Sequence, residues 1–314
     1  MITDVTDSST TPISGRRRHF IRRWLRRCLI GGGLIYLTLL VWLLLNETQL
    51  VYPGSKYPRG NWQPADFQFE EIEFLSADGT TLVGWFLTRP TTPKRVNISA
   101  PGDQDPRLSE TILLCHGNAE NSAQSAAYFG ENLRNTFNAD LFVFDYRGYG
   151  KSAGTPFETG ILDDAEAALA WLCDRTGKTS SEITLVGHSL GGAPACHLAG
   201  TQGCKLLILD RTFNSLAGAA QWNYPLFPVQ YLMRNQYHST TKIKKYQGPV
   251  VQSHGTTDEL IPIVLARKLF EAAPTNKKIF LAIPDMGHFE PFPADYWSDL
   301  KDSVLTVLNP SSMR

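Results

Sequence analysis

Cysteine is scarce in this chain of 314 residues, and the five present, Cys28, Cys115, Cys173, Cys196 and Cys204, are odd in number and scattered. None forms a CxxC pair and no spacing suits zinc, which argues against a disulfide framework and a structural metal centre. They read as small buried apolar residues, although one pair among Cys173, Cys196 and Cys204 could still meet in space. A dominant charge sign is also missing: 30 basic and 30 acidic residues give a net charge of +0. The chain therefore lacks the broad basic surface expected of a nucleic-acid partner. With 42% hydrophobic and 19% charged residues, disorder of the whole chain is excluded. No internal repeat or low-complexity tract is visible, and the length allows one large domain or two small ones.

What the chain does have is one long apolar run. Cys28 to Leu45 reads CLIGGGLIYLTLLVWLLL without a charged residue, nearly enough helix to cross a hydrocarbon core of ~30 Å. Arg16, Arg17, Arg18, Arg22, Arg23, Arg26 and Arg27 precede it, and the residues just after it carry no basic charge. The asymmetry predicts a single-pass signal-anchor with a cytoplasmic N-terminus and the remainder on the extracytoplasmic side. A cleaved signal peptide is the rival, but no A-x-A-like site follows the run. Arg17-Arg18-His19-Phe20-Ile21-Arg22 also fits a twin-arginine export signal, which gives the same side. Asn46-Glu-Thr and Asn97-Ile-Ser are sequons, usable only in a eukaryotic secretory route. The expected division is a basic cytoplasmic tail over 1–27, an anchor over 28–46, a Pro-, Gly- and aromatic-rich ordered linker over 47–69, and a large folded domain over 70–314.

In that domain, strand-like runs at Glu71–Ser76 and Leu82–Leu87 flank the turn Ala77-Asp-Gly-Thr and suggest an antiparallel hairpin. Pro90 to Arg107 reads as a surface loop. Short apolar runs then alternate with helical stretches, predicting an α/β fold with a mostly parallel sheet flanked by helices. Strands are expected at Thr111–Cys115, Leu141–Asp145, Ile183–Val186, Leu206–Asp210, Val250–Ser253 and Lys278–Ile283. Over Phe157–Asp174 a helix is expected to bury Ile161, Ala165, Ala168, Leu169 and Leu172 and to leave Asp163, Asp164, Glu166 and Asp174 in solvent.

The chemistry is carried by Gly187-His188-Ser189-Leu190-Gly191-Gly192, a G-x-S-x-G directly after an apolar strand and before an Ala-rich helical stretch. A sharp strand-to-helix turn needs small neighbours and presents Ser189 Oγ at a helix N-terminus. A serine hydroxyl needs a base, and the base an orienting carboxylate. His254-Gly-Thr-Thr-Asp258-Glu-Leu-Ile-Pro262 offers Asp258, and Pro284-Asp-Met-Gly-His288-Phe offers His288, in the order Ser, Asp, His. Oxyanion donors are expected to be the backbone amides of Leu190 and, from His116-Gly117-Asn118-Ala119-Glu120-Asn121, of Asn118.

Other titratable residues near these motifs admit structural roles. Of seven histidines, His116 is expected to bond within its loop, His188 to pack beside the nucleophile and His254 to brace the acid loop. Asp210 is the rival acid; Asp145 and Arg147 are expected to pair in a structural turn; Glu259 and Asp285 are expected to be solvated. The aromatic-rich stretch 214–247 is a candidate small lid, facing an acyl group, the rest of the domain or the bilayer.

Taken together, HGNAEN, DYRGYGKS at Asp145–Ser152, GHSLGG, HGTTDELIP and MGHFE resemble the α/β-hydrolase family, within it a subgroup of membrane-anchored serine hydrolases, over the region from about Glu70 to the C-terminus. The resemblance implies an eight-stranded sheet carrying a Ser-Asp-His triad, with Ser189, Asp258 and His288 each in the matching motif. The reaction expected is carboxylic ester hydrolysis through an acyl-enzyme, on a small-molecule or lipid ester, without metal or cofactor. Thioester or amide cleavage, acyl transfer to an alcohol, and a non-catalytic membrane-anchored binding module are the alternatives, because the same machinery or fold serves each.

Overall fold

The computed structural model describes residues 14–90 and 110–309, with the side chains of 14–18 excepted. The tail over 1–13, the sequon at Asn97 and all of the expected loop at 90–107 except Pro90 lie outside the described residues. Two compact units divide the chain, Met1–Glu47 and Thr48–Arg314.

The first unit is one helix, α1 (Ser14–Leu45), of 32 residues. It begins well before the apolar run, because arginine is a good helix former and no Pro or Gly separates the basic segment from the apolar one. The segment His19–Leu45 is long and apolar enough to cross a membrane, and none of its apolar window is buried. Large side chains lie exposed all round it, Leu29, Ile30, Leu34, Ile35 and Trp42 among them, so no single face of it is committed to a core.

The second unit is an eight-stranded sheet in the order β1-β2-β4-β3-β5-β6-β7-β8. Its strands are β1 (Glu70–Leu75), β2 (Thr81–Leu87), β3 (Thr111–Cys115), β4 (Asp140–Phe144), β5 (Thr184–His188), β6 (Leu206–Asp210), β7 (Val250–Gly255) and β8 (Lys278–Ile283). The hairpin β1–β2 and the pair β2–β4 are antiparallel, and every later pairing is parallel. Around the sheet lie α2 (Glu47–Val51), α3 (Ser122–Ser125), α4 (Glu131–Phe137), α5 (Glu158–Thr176), α6 (Gly192–Gln202), α7 (Leu216–Asn223), α8 (Val229–Leu232), α9 (Ser239–Ile243), α10 (Ile263–Ala272) and α11 (Tyr296–Leu308). This is the mostly parallel α/β fold expected from the alternation of apolar runs and helical stretches.

The central strands carry no polar alternation because both their faces are covered. Leu113 and Cys115 join Leu169, Leu172 and Leu198 in one core, while Ile112 and Leu114 point the other way and join Leu133, Phe137, Leu300 and Val304. Helix α5 stops where Gly177 takes a left-handed φ of 67° and returns its amide to the Cys173 carbonyl.

Two expectations change. Asp164 is not solvated: it is fully buried and accepts both the backbone amide and the guanidinium of Arg147. Arg147 therefore pairs with Asp164 and Asp78 rather than with Asp145; its guanidinium reaches α5 because Gly160 leaves the space, a Cβ there falling 2.6 Å from it. Asp145 instead accepts the amides of Ser122 and Lys151, and its burial raises its pKa to about 6. The stretch expected as an ordered linker packs within the second unit from Thr48 onward. Tyr52 and Phe67 are buried, Phe69 stacks on Trp85 at 3.6 Å, and Asn121 Nδ2 donates to the Ser55 and Arg59 carbonyls.

Leu114 is fully buried in the central strand with helices over it. Leu114→Ala is expected to lower unfolding free energy by about 2–5 kcal/mol, read as a shifted denaturant midpoint at constant slope; an unchanged midpoint would contradict this packing.

Candidate active site

At the C-terminal end of β5 the backbone has to reverse from strand to helix within a few residues. Ser189 takes a φ of 51°, a region that non-glycine residues rarely occupy. Such strain persists only where the surroundings impose it. Here a Cβ at Gly187 would fall 2.6 Å from the Gly191 carbonyl, one at Gly191 would overlap the Cys115 carbonyl, and one at Gly192 would overlap the Thr212 side chain. The three glycines let β5, α6 and the loop after β3 touch backbone to backbone. Thr212 Oγ1 donates to the Ser189 carbonyl at 2.7 Å and ties the turn to the end of β6.

Ser189 Oγ lies 3.0 Å from His288 Nε2, and His288 Nδ1 lies 2.8 Å from Asp258 Oδ2. Because an ionised carboxylate only accepts, Nδ1 is the donor to Asp258, which leaves Nε2 to accept the hydroxyl proton. The other carboxylate oxygen, Oδ1, accepts the Ile261 amide at 2.8 Å. The three side chains are nearly closed to solvent at 6%, 4% and 8% exposure.

Asp258 and His288 sit on two loops that are laced together. Thr256 N–H donates to the Ile283 carbonyl and Thr257 N–H to Met286, while a Cβ on Gly255 would overlap the Met286 carbonyl. Arg211 Nη1 holds the far side by donating to the His288 and Glu290 carbonyls at 2.9 and 3.0 Å. His254 Nε2 donates to the Ile261 carbonyl at 2.7 Å and so braces the acid loop; burial lowers its pKa. Glu259 and Asp285 are exposed.

The expected oxyanion loop lies against the elbow. A Cβ on Gly117 would sit 3.6 Å from Ser189 Cβ and 3.2 Å from His188 Cδ2. Leu190 is buried behind the serine, and the side chain of Asn118 donates to the Val51 carbonyl at 3.2 Å. His116 Nδ1 bonds to the Gly117 carbonyl, and burial lowers this imidazole's pKa to about 4.

His188 does more than pack, and its place in the motif does not announce the further role. Its Nδ1 donates to Asp210 Oδ2 at 2.8 Å, and its Nε2 faces Glu120 Oε1 at 3.4 Å. Burial opposes charging the ring, but Glu120 and Asp210 outweigh it and raise its pKa to about 9. Glu120 also accepts from Ser125 Oγ. Burial works against the ionised Glu120 too, yet the His188 charge holds its carboxyl down at about 2. Asp210 is thereby occupied, by His188 and by Arg211 Nε at 2.9 Å, and does not reach His288 as the rival acid. The one signal that carries the pairing is strand register, since His188 and Asp210 are paired positions at the ends of β5 and β6.

Stretch 214–247 holds α7, α8 and α9. It meets the acid loop directly where Asn223 Nδ2 donates to the Leu260 carbonyl at 2.9 Å.

A sequence profile described as the alpha/beta hydrolase fold matches residues 110–237. The chain is 32% identical to YfhR of Escherichia coli K12 over 269 residues, covering 83% of this chain and 88% of that one. It is 25% identical to YNL320W of Saccharomyces cerevisiae, which is described as a membrane protein, over 87% of this chain and 95% of the other. Among solved structures, the Pyrococcus furiosus esterase Pf2001 superposes with a TM-score of 0.62 at 18% identity, covering 82% of this chain and all of the esterase.

The ion chain at the elbow makes stability depend on pH. Folded, His188 holds its proton up to about pH 9, against an ordinary value of 6.5 in the unfolded chain, so its contribution is complete below pH 6.5 and lost as pH rises through 9. Glu120→Gln is expected to flatten this alkaline loss, measured as unfolding free energy across that window; an equally steep fall in the variant would contradict the assignment.

Proposed function

Since the chain belongs to the α/β-hydrolase family, we propose that it is a membrane-anchored serine hydrolase that cleaves carboxylic esters through an acyl-enzyme on Ser189. The observation that carries this reading is the relay of 3.0 Å from Ser189 Oγ to His288 Nε2 and 2.8 Å from Nδ1 to Asp258.

In this mechanism His288 takes the hydroxyl proton as Ser189 Oγ attacks the ester carbonyl carbon, and Asp258 holds the ring in the tautomer that can accept it. The oxyanion is stabilised by the amides of Leu190 and Asn118, each such donor being worth about 3 kcal/mol. The imidazolium then protonates the leaving alcohol, and a water deprotonated by the same ring releases the acid. The anchor part of the proposal rests on the length and apolarity of α1, and its orientation, N-terminus in the cytoplasm and catalytic domain outside, on the arginines that precede the span.

Ser189→Ala is expected to abolish labelling by a fluorophosphonate probe and to lower ester turnover on the order of 10⁶-fold, with the denaturation curve unchanged. Labelling that persists in the variant would overturn the nucleophile assignment. Alkaline carbonate extraction should leave the full chain in the membrane pellet; release into the supernatant would remove the anchor.

A further inference from the structure

We propose that the α7–α8 region is a bilayer-docking surface, so that the ester taken by Ser189 is an amphiphile resident in the same membrane that α1 crosses. This rests on the reading of α1 as an anchor and of Ser189 as the nucleophile.

Three independent observations meet there. First, large apolar side chains that a folded domain would ordinarily cover are left in solvent within a single stretch. Leu226 is 80% exposed, Tyr231 77% and Trp222 55%, with Leu232 and Tyr224 beside them. Trp222, Pro225 and Tyr231 line one open groove together with Leu265 and Lys268. A contiguous apolar surface of this kind marks an interaction site. Trp and Tyr among aliphatics are the composition of a lipid interface, where amphipathic rings sit at headgroup level.

Second, charge is distributed unevenly although the chain as a whole is neutral. Between Asp210 and Asp258 the sequence contains no acidic residue, while Arg234, Lys242, Lys244 and Lys245 all fall within it. Arg234, Lys244 and Lys245 are exposed. Exposed cations in the same stretch as exposed aromatics complement anionic headgroups, although the carboxylate of Glu158 accepts the Gln236 amide at the edge of this region.

Third, the covalent connection bounds the distance between the end of α1 and a residue packed against this stretch. Residues 46–51 are all that separate the last residue of α1 from Tyr52, and six residues span at most about 20 Å fully extended. Tyr52 is buried, and its hydroxyl donates to Asn235 Oδ1 at 2.9 Å and lies 2.8 Å from Tyr237 Oη, at the C-terminal side of α8. The other end of the region meets the acid loop through Asn223 and Leu260, and Leu260 is itself exposed beside Asp258. A lipid leaving the bilayer across this surface therefore arrives beside Asp258 and His288. A partner protein would also cover apolar residues, but the bilayer is the surface that the tether already brings near.

The full chain is reconstituted in nanodiscs of phosphatidylcholine with and without phosphatidylglycerol and assayed on two fluorogenic esters, 4-methylumbelliferyl oleate dissolved in the bilayer and 4-methylumbelliferyl butyrate in water. The double variant Leu226→Asp, Tyr231→Asp is expected to lose about tenfold or more of its oleate turnover while its butyrate turnover stays unchanged, which also shows that the variant is folded. The oleate rate of the parent chain should rise with phosphatidylglycerol, and Lys244→Gln, Lys245→Gln should remove that rise. In parallel, brominated lipids should quench Trp222, read as the difference between the parent chain and Trp222→Phe. Unchanged oleate turnover in the aspartate variant, or no quenching difference, overturns the docking surface while leaving the hydrolase reading intact. Absence of turnover on both esters by the parent chain instead overturns the hydrolase reading, and Trp222 quenching then still decides whether the surface meets lipid.

Discussion

Everything at the site depends on one backbone constraint: Ser189 must occupy a left-handed conformation between a strand and a helix while three other segments press against it. Relaxing that residue would swing its hydroxyl out of line with His288 Nε2. The neighbours prevent this because they have no room to yield. Gly191 lies against the Cys115 carbonyl, Gly192 against Thr212, and Thr212 in turn holds the Ser189 carbonyl. The strain is thus offset by close packing of β3, β5 and β6, each buried along its whole length.

Two imidazoles stand 6.4 Å apart on this platform, and the fold gives them different surroundings. His288 meets a hydroxyl on one side and a carboxylate on the other. His188 meets carboxylates on both sides and is held protonated. Its charge connects Glu120, in the loop after β3, with Asp210 at the end of β6, so the expected oxyanion loop and the elbow are cross-linked by charge as well as by glycine contacts. A second neutral base this close would compete for the same proton. A ring already charged cannot, and in the proposed mechanism that difference leaves His288 as the base for Ser189.

Periodicity and turn chemistry make the sheet legible. The strands at Thr111–Cys115 and Leu206–Asp210 are found where the apolar runs stand, because short apolar runs between helices have no other way to bury both faces. The order of Ser189, Asp258 and His288 is readable from loop motifs, and their side chains lie within hydrogen-bond distance of one another. Less readable are the partners of buried charges. Asp164 has helix spacing that suits a solvent-facing position, but the guanidinium of Arg147 enters over Gly160 and makes burial tolerable. Likewise, nothing local marks His188 as charged. Its charge comes from parallel register between β5 and β6 and from a loop residue, Glu120, far away in sequence. The stretch after the span lacks helical or strand periodicity and reads as an ordered linker; the contacts of Tyr52, Phe67 and Phe69 that hold it are ones no periodicity records.

That same stretch gives the architecture its coherence. The segment after α1 does not end in a loose hinge: Val51 accepts from Asn118, Ser55 and Arg59 accept from Asn121, and Tyr52 is fixed to Asn235 and Tyr237. The same few residues therefore touch the loop expected to hold the oxyanion and the region expected to meet substrate. Because Tyr52, Ser55 and Arg59 are each held by a partner far away in sequence, a displacement of this segment would be felt both at the loop after β3 and at the chain that follows α8.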